Sequence, residues 1–132
     1  MNKIYKIIAL LLITINTACE RTEGEGGTST VLGRVLVQEY NSDFTFKKTE
    51  YYSEGIDVYI IYGNDSIYSD DFETGIGGWY RFKYLNKGSY KVYAFSKDST
   101  RRSASGNIPV IKEIFIDEDQ TDYLVDDIII FD

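Results

Sequence analysis

Apolar and polar residues alternate with a period of two from Val31 to Asp132, and helical spacing is absent there. Successive side chains of a strand point to opposite faces, so this pattern predicts strands with one buried face. Turn residues interrupt it at short, regular distances, which is typical of an all-β sandwich or barrel. The predicted strands cover residues 31–37, 56–62, 79–85, 90–96, 110–116 and 124–131.

The turn residues indicate which strands form hairpins. Residues 86–89 join the strands at 79–85 and 90–96, and Gly88 permits the positive φ of a tight turn. The strands at 110–116 and 124–131 flank an acidic turn and form a second predicted hairpin. Residues 39–54 are interpreted as an insertion with one extra edge strand, and residues 97–107 as a polar, mobile loop. Pro109 is placed at a strand start, where its missing N–H does least harm.

The first 18 residues have the organisation of an export signal. Lys3 and Lys6 precede an apolar run at residues 7–15, which is shorter than the roughly 20 residues that span a bilayer. The small residues Thr17 and Ala18 lead into Cys19, the only cysteine of the chain. This arrangement resembles a bacterial lipoprotein signal, which implies cleavage before Cys19 and its acylation. An ordinary signal peptide followed by an unmodified thiol is the alternative.

Residues 20–30 contain no apolar side chain and predict a flexible tether. The expected organisation is a signal peptide at 1–18, the lipidated cysteine and linker at 19–30, and one domain at 31–132. Losing Lys3 and Lys6 lowers Lys and Arg from 14 to 12 against 21 Asp and Glu, for a net charge of −9. Such a surface repels phosphates and argues against a nucleic-acid partner. The membrane link must then be the lipid anchor, and the expected location is the outer membrane of the cell envelope.

A glycine, a strand with alternating aromatic residues, a leucine and a Gly-x-Tyr follow one another between residues 74 and 98. They are Gly78, Tyr80, Phe82, Leu85, Gly88 and Tyr90. This order resembles the carboxypeptidase regulatory-like (transthyretin-like, prealbumin-like) family, and residues 33–35, 56–60 and 127–130 are similar to its first, second and closing strands. The resemblance implies an Ig-like, prealbumin-like β-sandwich of about seven strands. It also implies an accessory or structural module, with no catalytic residue to carry over.

The chain contains no histidine, which removes Ser-His-Asp and Cys-His catalysis and most zinc and copper sites. Carboxylate catalysis needs two acids across a cleft, which a lone sandwich of this size rarely supplies. The acidic stretches at residues 65–73 and 117–122 are calcium candidates, with solvated turns as the alternative. We therefore expect no enzyme activity, no cofactor and no metal site.

One candidate binding surface follows from the alternation between residues 79 and 96. With positions 80, 82, 90, 92 and 94 on the buried face, Trp79, Arg81, Tyr93 and Phe95 point outward. On adjacent strands they would form an aromatic patch with one cation, suited to stacking on sugar rings or docking a protein. Alternatively, segment 39–54 covers this face, or the rings form a cross-strand ladder that only stabilises the sheet.

These patterns together predict a membrane-anchored envelope lipoprotein. Its β-sandwich is expected to be a non-catalytic protein-interaction or structural module with an unidentified envelope protein as partner. The alternative is a glycan-binding accessory lipoprotein that uses the exposed aromatic patch.

Overall fold

The computed structural model describes residues 21–132, and the predicted signal peptide and Cys19 lie outside them. Within this range two packed sheets account for nine strands, so the all-β sandwich predicted from the alternation is confirmed. None of the described residues form a helix long and apolar enough to cross a membrane. The strands are β1 (Glu25–Tyr40), β2 (Lys47–Tyr52), β3 (Asp57–Tyr62), β4 (Asp70–Glu73), β5 (Trp79–Leu85), β6 (Gly88–Lys97), β7 (Asn107–Ile116), β8 (Asp122–Leu124) and β9 (Ile128–Phe131), with a 3₁₀ turn at Ile76–Gly78.

The first sheet is built around β1, which is 16 residues long. β2 and β5 pair with β1 in antiparallel orientation, whereas β8 and β9 pair with it in parallel. The second sheet has the order β4-β3-β6-β7, with antiparallel pairs throughout. β5 thus belongs to one sheet and β6 to the other.

The hydrophobic core lies between the inner faces of the two sheets. Alternate residues of β1, β3, β5 and β6 fill it, as a period of two requires. The residues predicted to share a buried face, at positions 80, 82, 90, 92 and 94, are all buried. Gly33 leaves space for the Tyr80 ring, because a Cβ at Gly33 would overlap it.

Neither predicted hairpin forms. β5 pairs with β1 and β6 pairs with β3 and β7, so residues 86–87 cross between the sheets. β9 pairs with β1 and not with β7. The crossing buries Asn86, whose side-chain amide donates to the carbonyl oxygens of Thr22 and Glu25. Alternation shows which face of a strand is buried, but it does not show which strand lies beside it. The pairing prediction is wrong for this reason.

The flexible linker predicted up to residue 30 ends earlier, because β1 begins at Glu25. Gly27 passes so close to the Leu85 backbone that a Cβ there would overlap the carbonyl group. Ser29 is fully buried, and its hydroxyl donates to the carbonyl oxygen of Glu118 over 2.6 Å. This segment resembles a linker because its residues are small and polar. A close approach between strands requires such small residues, since larger side chains would not fit.

The extra edge strand predicted in segment 39–54 is present, whereas Pro109 lies inside its strand. β2 lies in the predicted insertion 39–54 and pairs with β1 as an edge strand. Pro109 is the third residue of β7 and not its first, but β7 is an edge strand of the second sheet, where a missing donor is tolerated.

The loop between β6 and β7 is organised by one buried carboxylate. Asp98 accepts hydrogen bonds from the backbone N–H groups of Thr100, Arg102 and Ser103. The Thr100 hydroxyl also donates to it, over 2.6 Å. These bonds, that of the Thr100 hydroxyl first, lower the pKa of Asp98 to about 2. The carboxylate therefore fixes the segment that the sequence predicts as a mobile loop.

We expect this loop to loosen in acid. Because the folded-state pKa of Asp98 lies below its ordinary value of 3.8, the stabilisation is present above that pH and is lost as the pH falls towards 2. Asp98→Asn should abolish this pH dependence and weaken the loop at neutral pH. The measurement is NMR titration of the backbone amides of Arg102 and Ser103. Amide shifts that stay constant in the wild type down to pH 2 would contradict the prediction.

Candidate functional site

The structure separates the four residues predicted to form one aromatic patch. Trp79 and Arg81 lie on β5 and point away from the core on the outer face of the first sheet. Tyr93 and Phe95 lie on β6 and point away from the core on the outer face of the second sheet. Because the inner faces of these sheets pack together, the two pairs are on opposite sides of the sandwich. The single patch is therefore wrong, and each face is a candidate by itself.

Four aromatic rings meet on the outer face of the second sheet, and we call them the aromatic cluster. Tyr59 of β3 is its centre, stacked on Tyr93 of β6 with 5.1 Å between ring centroids. Tyr68, from the β3–β4 connection, lies 4.8 Å from Tyr59, and Phe95 lies 5.9 Å from it. Phe95 also contacts Tyr93 edge to face at 5.6 Å. Such offset and edge-to-face arrangements are the favourable ones for aromatic pairs.

The aromatic cluster is open to solvent. Tyr68 and Phe95 are 50% and 49% exposed. On β7, Ile111 lies opposite Tyr93 and Pro109 opposite Phe95, so the apolar surface continues onto that strand. A contiguous exposed apolar surface of this kind is typical of an interaction site.

Acidic side chains border the aromatic cluster on one side. Asp71 is paired with Tyr59 across β3 and β4, and Asp57 lies at the start of β3. Burial raises the pKa of the Tyr59 hydroxyl, and the charge of Asp57 raises it further. Burial also raises the pKa of Tyr93. Both hydroxyls are therefore neutral at pH 7 and can donate and accept hydrogen bonds.

The sequence-based prediction omits Tyr59 and Tyr68. Alternation within residues 56–62 places Tyr59 on the face opposite Val58 and Ile60, so a signal for its outward position was present. Tyr68 lies outside any strand, where no periodic pattern indicates its direction. Its place in the cluster depends on the path of the β3–β4 connection.

On the opposite face, Trp79 forms a stack with a cation. The Arg34 guanidinium lies between two rings, 3.4 Å from the Tyr52 centroid and 5.0 Å from the Trp79 centroid. Its Nε donates to the Gly77 carbonyl oxygen over 2.9 Å, and the Tyr52 hydroxyl donates to Asp127 over 2.7 Å. Because Tyr52 belongs to β2, segment 39–54 covers part of this face, as one alternative interpretation predicted.

A pocket of about 280 Å³ adjoins Trp79. Its lining residues are Leu32, Phe72, Gly75, Trp79, Tyr80 and Arg81. The indole remains 42% exposed beside it. This face therefore offers two aromatic rings, the guanidinium groups of Arg34 and Arg81, and a shallow concave surface, without the larger ring cluster of the opposite face.

The emission of Trp79 should be red-shifted and quenched by acrylamide. Half-exposure of the only tryptophan makes the indole accessible to solvent, so steady-state fluorescence of the purified protein measures it without labelling. Arg34→Ala should increase acrylamide quenching further, because it removes the guanidinium that lies over the ring. A blue emission protected from acrylamide would contradict the open position of Trp79.

The acidic stretches considered for calcium make other contacts. Asp119 lies 4.0 Å from the Lys87 ammonium, and the Asp70 carboxylate accepts the backbone N–H of Asp71. Asp117 accepts the hydroxyl of Tyr123. Among residues 21–132, no group of three or more acidic or cysteine side chains is arranged to hold a metal ion.

Comparison with known proteins gives only distant structural likenesses. No family profile and no curated protein matches the chain. A crystal structure of a provisionally assigned carbohydrate-binding protein from Pseudomonas aeruginosa aligns with a TM-score of 0.48 and 11% sequence identity, over 79% of this chain and 91% of that one. Of the resemblance to the carboxypeptidase regulatory-like family, the topology of this chain shows the all-β sandwich, and no family profile shows membership.

Proposed function

We propose that this protein is a lipid-anchored envelope lipoprotein whose sandwich is a non-catalytic protein-interaction module. The observation that carries the proposal is the aromatic cluster, with its four contacting rings on an outer sheet face. Tyrosine and phenylalanine are enriched at the centres of protein interfaces, where rigid rings bury much area at a low cost in conformational entropy. The acidic border and the apolar continuation onto β7 resemble the rim and core of such an interface.

The form of the aromatic cluster favours a protein over a sugar as its partner. Tyr59 and Tyr93 stack on each other with an interplanar angle of 24°, so their faces are partly occupied within the cluster. What the cluster presents is a broad apolar surface with ring edges and hydroxyl groups. A surface of that kind complements apolar side chains better than it complements the flat face of a pyranose ring.

The lipid anchor is proposed from the residues before the domain. Cys19 follows a short apolar run and two small residues, and acylation accounts for a lone cysteine in an exported chain. The negative charge of the mature chain disfavours electrostatic attachment to anionic lipid, which leaves the acyl chains as the membrane contact. Cys19→Ala should then move the protein from the membrane fraction to the soluble fraction, and continued membrane association would contradict the anchor.

Site-specific photo-crosslinking tests the proposed surface. Benzoylphenylalanine replaces Phe95 in the full-length protein, which is expressed in the native organism. Lys83, on the opposite outer face, is the matched control position. We expect a discrete protein adduct from position 95 and none from position 83. Tyr68→Ser, which removes an exposed ring without touching the core, should weaken the adduct. The same adducts from both positions would contradict a partner at the aromatic cluster.

Glycan binding is the second candidate, and the half-exposed Trp79 favours it. An indole beside the Arg81 guanidinium and an adjoining pocket can stack on a sugar ring and donate hydrogen bonds to its hydroxyls. Titration with soluble oligosaccharides should then give a saturable change in Trp79 emission that Arg81→Ala weakens. Emission that does not respond to any saccharide, together with a protein adduct at position 95, would leave the interaction module as the function.

A further inference from the structure

The chain is attached to the folded domain almost immediately after the predicted lipid site. The carbonyl oxygen of Thr22 accepts a hydrogen bond from the side chain of Asn86 at 3.1 Å. The backbone N–H of Gly24 donates to the buried hydroxyl of Tyr90 at 2.8 Å, and its carbonyl oxygen accepts from the Asn86 N–H at 2.9 Å. Residues 22–24 are therefore part of the domain and not of a tether.

The distance from the lipid site to this attachment is short. Cys19 and Thr22 are three residues apart, which a fully extended chain spans in about 11 Å at most. A flexible linker reaching residue 30 would instead allow the domain to turn freely at the bilayer. Because the linker ends early, acylation of Cys19 would hold one particular end of the sandwich next to the membrane.

That end, which we call the proximal end, is formed by several strand termini. Glu25 at the start of β1 pairs with Leu85 at the end of β5, and Gly88 at the start of β6 pairs with Ile116 at the end of β7. The turn after β3 joins them, since the Gly63 N–H donates to the Ser89 carbonyl oxygen over 2.8 Å (both backbone groups). These termini surround the point where residues 22–24 enter the domain.

Exposed aromatic rings lie at the proximal end. Tyr84, next to Leu85, is 67% exposed, and Phe115, next to Ile116, is 65% exposed. Tyrosine is enriched where proteins meet the interface between lipid and water, because its apolar ring and polar hydroxyl suit that boundary. Lys87 at the same end lies 4.0 Å from the Asp119 carboxylate, so the proposed membrane contact depends on the aromatic rings and not on attraction to anionic lipid.

We propose that the proximal end is a membrane-facing surface, with Tyr84 and Phe115 at the bilayer interface when Cys19 is acylated. The inference rests on the lipid anchor of the proposed function and adds the orientation of the domain. Trp79 lies six residues from Leu85 along β5, about 20 Å further from the bilayer. The aromatic cluster and the Trp79 face then point sideways from the anchor, where a partner can reach them.

Depth-dependent fluorescence quenching tests the orientation on the full, acylated protein. The acylated chain is reconstituted into phosphatidylcholine vesicles, with or without bromine on the lipid acyl chains. Tyr84→Trp and Phe115→Trp are each made in a Trp79→Phe background, and the natural Trp79 is the matched control. Both substituted positions are exposed, so the core is untouched, and circular dichroism confirms folding.

We expect bromolipids to quench the emission from positions 84 and 115 and to leave that of Trp79 unchanged. Equal quenching at all three positions, or at none, in protein that mass spectrometry shows to be acylated would overturn the orientation while leaving the anchor intact. Protein that carries no acyl chain at Cys19 would contradict the proposed anchor, and the orientation would fall with it. The acylation state thus separates the two failures.

Discussion

Replacing Gly27 with alanine should lower the free energy of unfolding by about 3 kcal/mol or more, at the upper end of what overpacking usually costs. A Cβ at this position would overlap the carbonyl group of Leu85, and this obstacle is backbone and not a flexible side chain. Relief therefore requires β1 and β5 to separate where their register already shifts, between Glu25 and Ser29. For a domain of this size the loss corresponds to a decrease in Tm of about 13 °C or more.

Urea denaturation of Gly27→Ala against Gly75→Ala measures this effect. A Cβ at Gly75 would have no heavy atom within 4 Å, and the φ of −92° there suits any residue. Alanine at Gly75 should therefore change stability by less than about 0.5 kcal/mol. Equal stability of the two variants would mean that residues 25–30 do not pack into the sheet. The linker predicted from composition would then be the correct description.

The second large effect is that two tyrosine-to-phenylalanine changes should alter the free energy of unfolding in different directions. The buried Tyr90 hydroxyl accepts from the Gly24 N–H and donates to the Asn86 carbonyl oxygen over 2.7 Å. Tyr90→Phe leaves both backbone groups without that partner and should cost about 1–3 kcal/mol. Within residues 21–132, the equally buried Tyr80 hydroxyl has no hydrogen-bond partner. Tyr80→Phe should therefore be neutral or stabilise the protein by about 1 kcal/mol.

Equilibrium unfolding in urea compares the two variants, and equal m-values show that the same surface is exposed in each. Because the chemical change is identical, effects of the hydroxyl on the unfolded state largely cancel in the comparison. Similar destabilisation by both changes would contradict the hydrogen bonds that hold residues 22–24 to the domain. Residues 22–24 would then not be held to the sandwich, and the connection from Cys19 would be longer.

Alternation in the sequence was sufficient to predict the buried faces of the strands at 79–85 and 90–96. Tyr80, Phe82 and Tyr90 are buried as predicted, and Trp79 and Phe95 point away from the core on their respective sheets. Which side chains of a strand are buried follows from the alternation within that strand. It can therefore be predicted without knowing which strands lie beside it. The all-β class follows from the same pattern.

The partners of the strands could not be derived in this way. A link as short as residues 86–87 is compatible with a hairpin or with a crossing between sheets. The crossing buries the side-chain amide of Asn86, which is favourable because the carbonyl oxygens of Thr22 and Glu25 accept its hydrogen bonds. For the same reason Trp79 and Phe95, which the sequence predicts to be neighbours, lie on opposite faces, and Tyr68 joins the aromatic cluster unpredicted.

The sequence by itself therefore determined that this chain forms an all-β domain, and it determined which side of the strands at 79–85 and 90–96 is buried. Only the tertiary structure decided which strands pair, where the linker ends and which aromatic residues share a surface. The physical reason is the sequence separation between the residues that interact. The burial of a side chain is encoded by its own strand, whereas pairing and close approach, as at Gly27 and Leu85, depend on residues far apart in the chain.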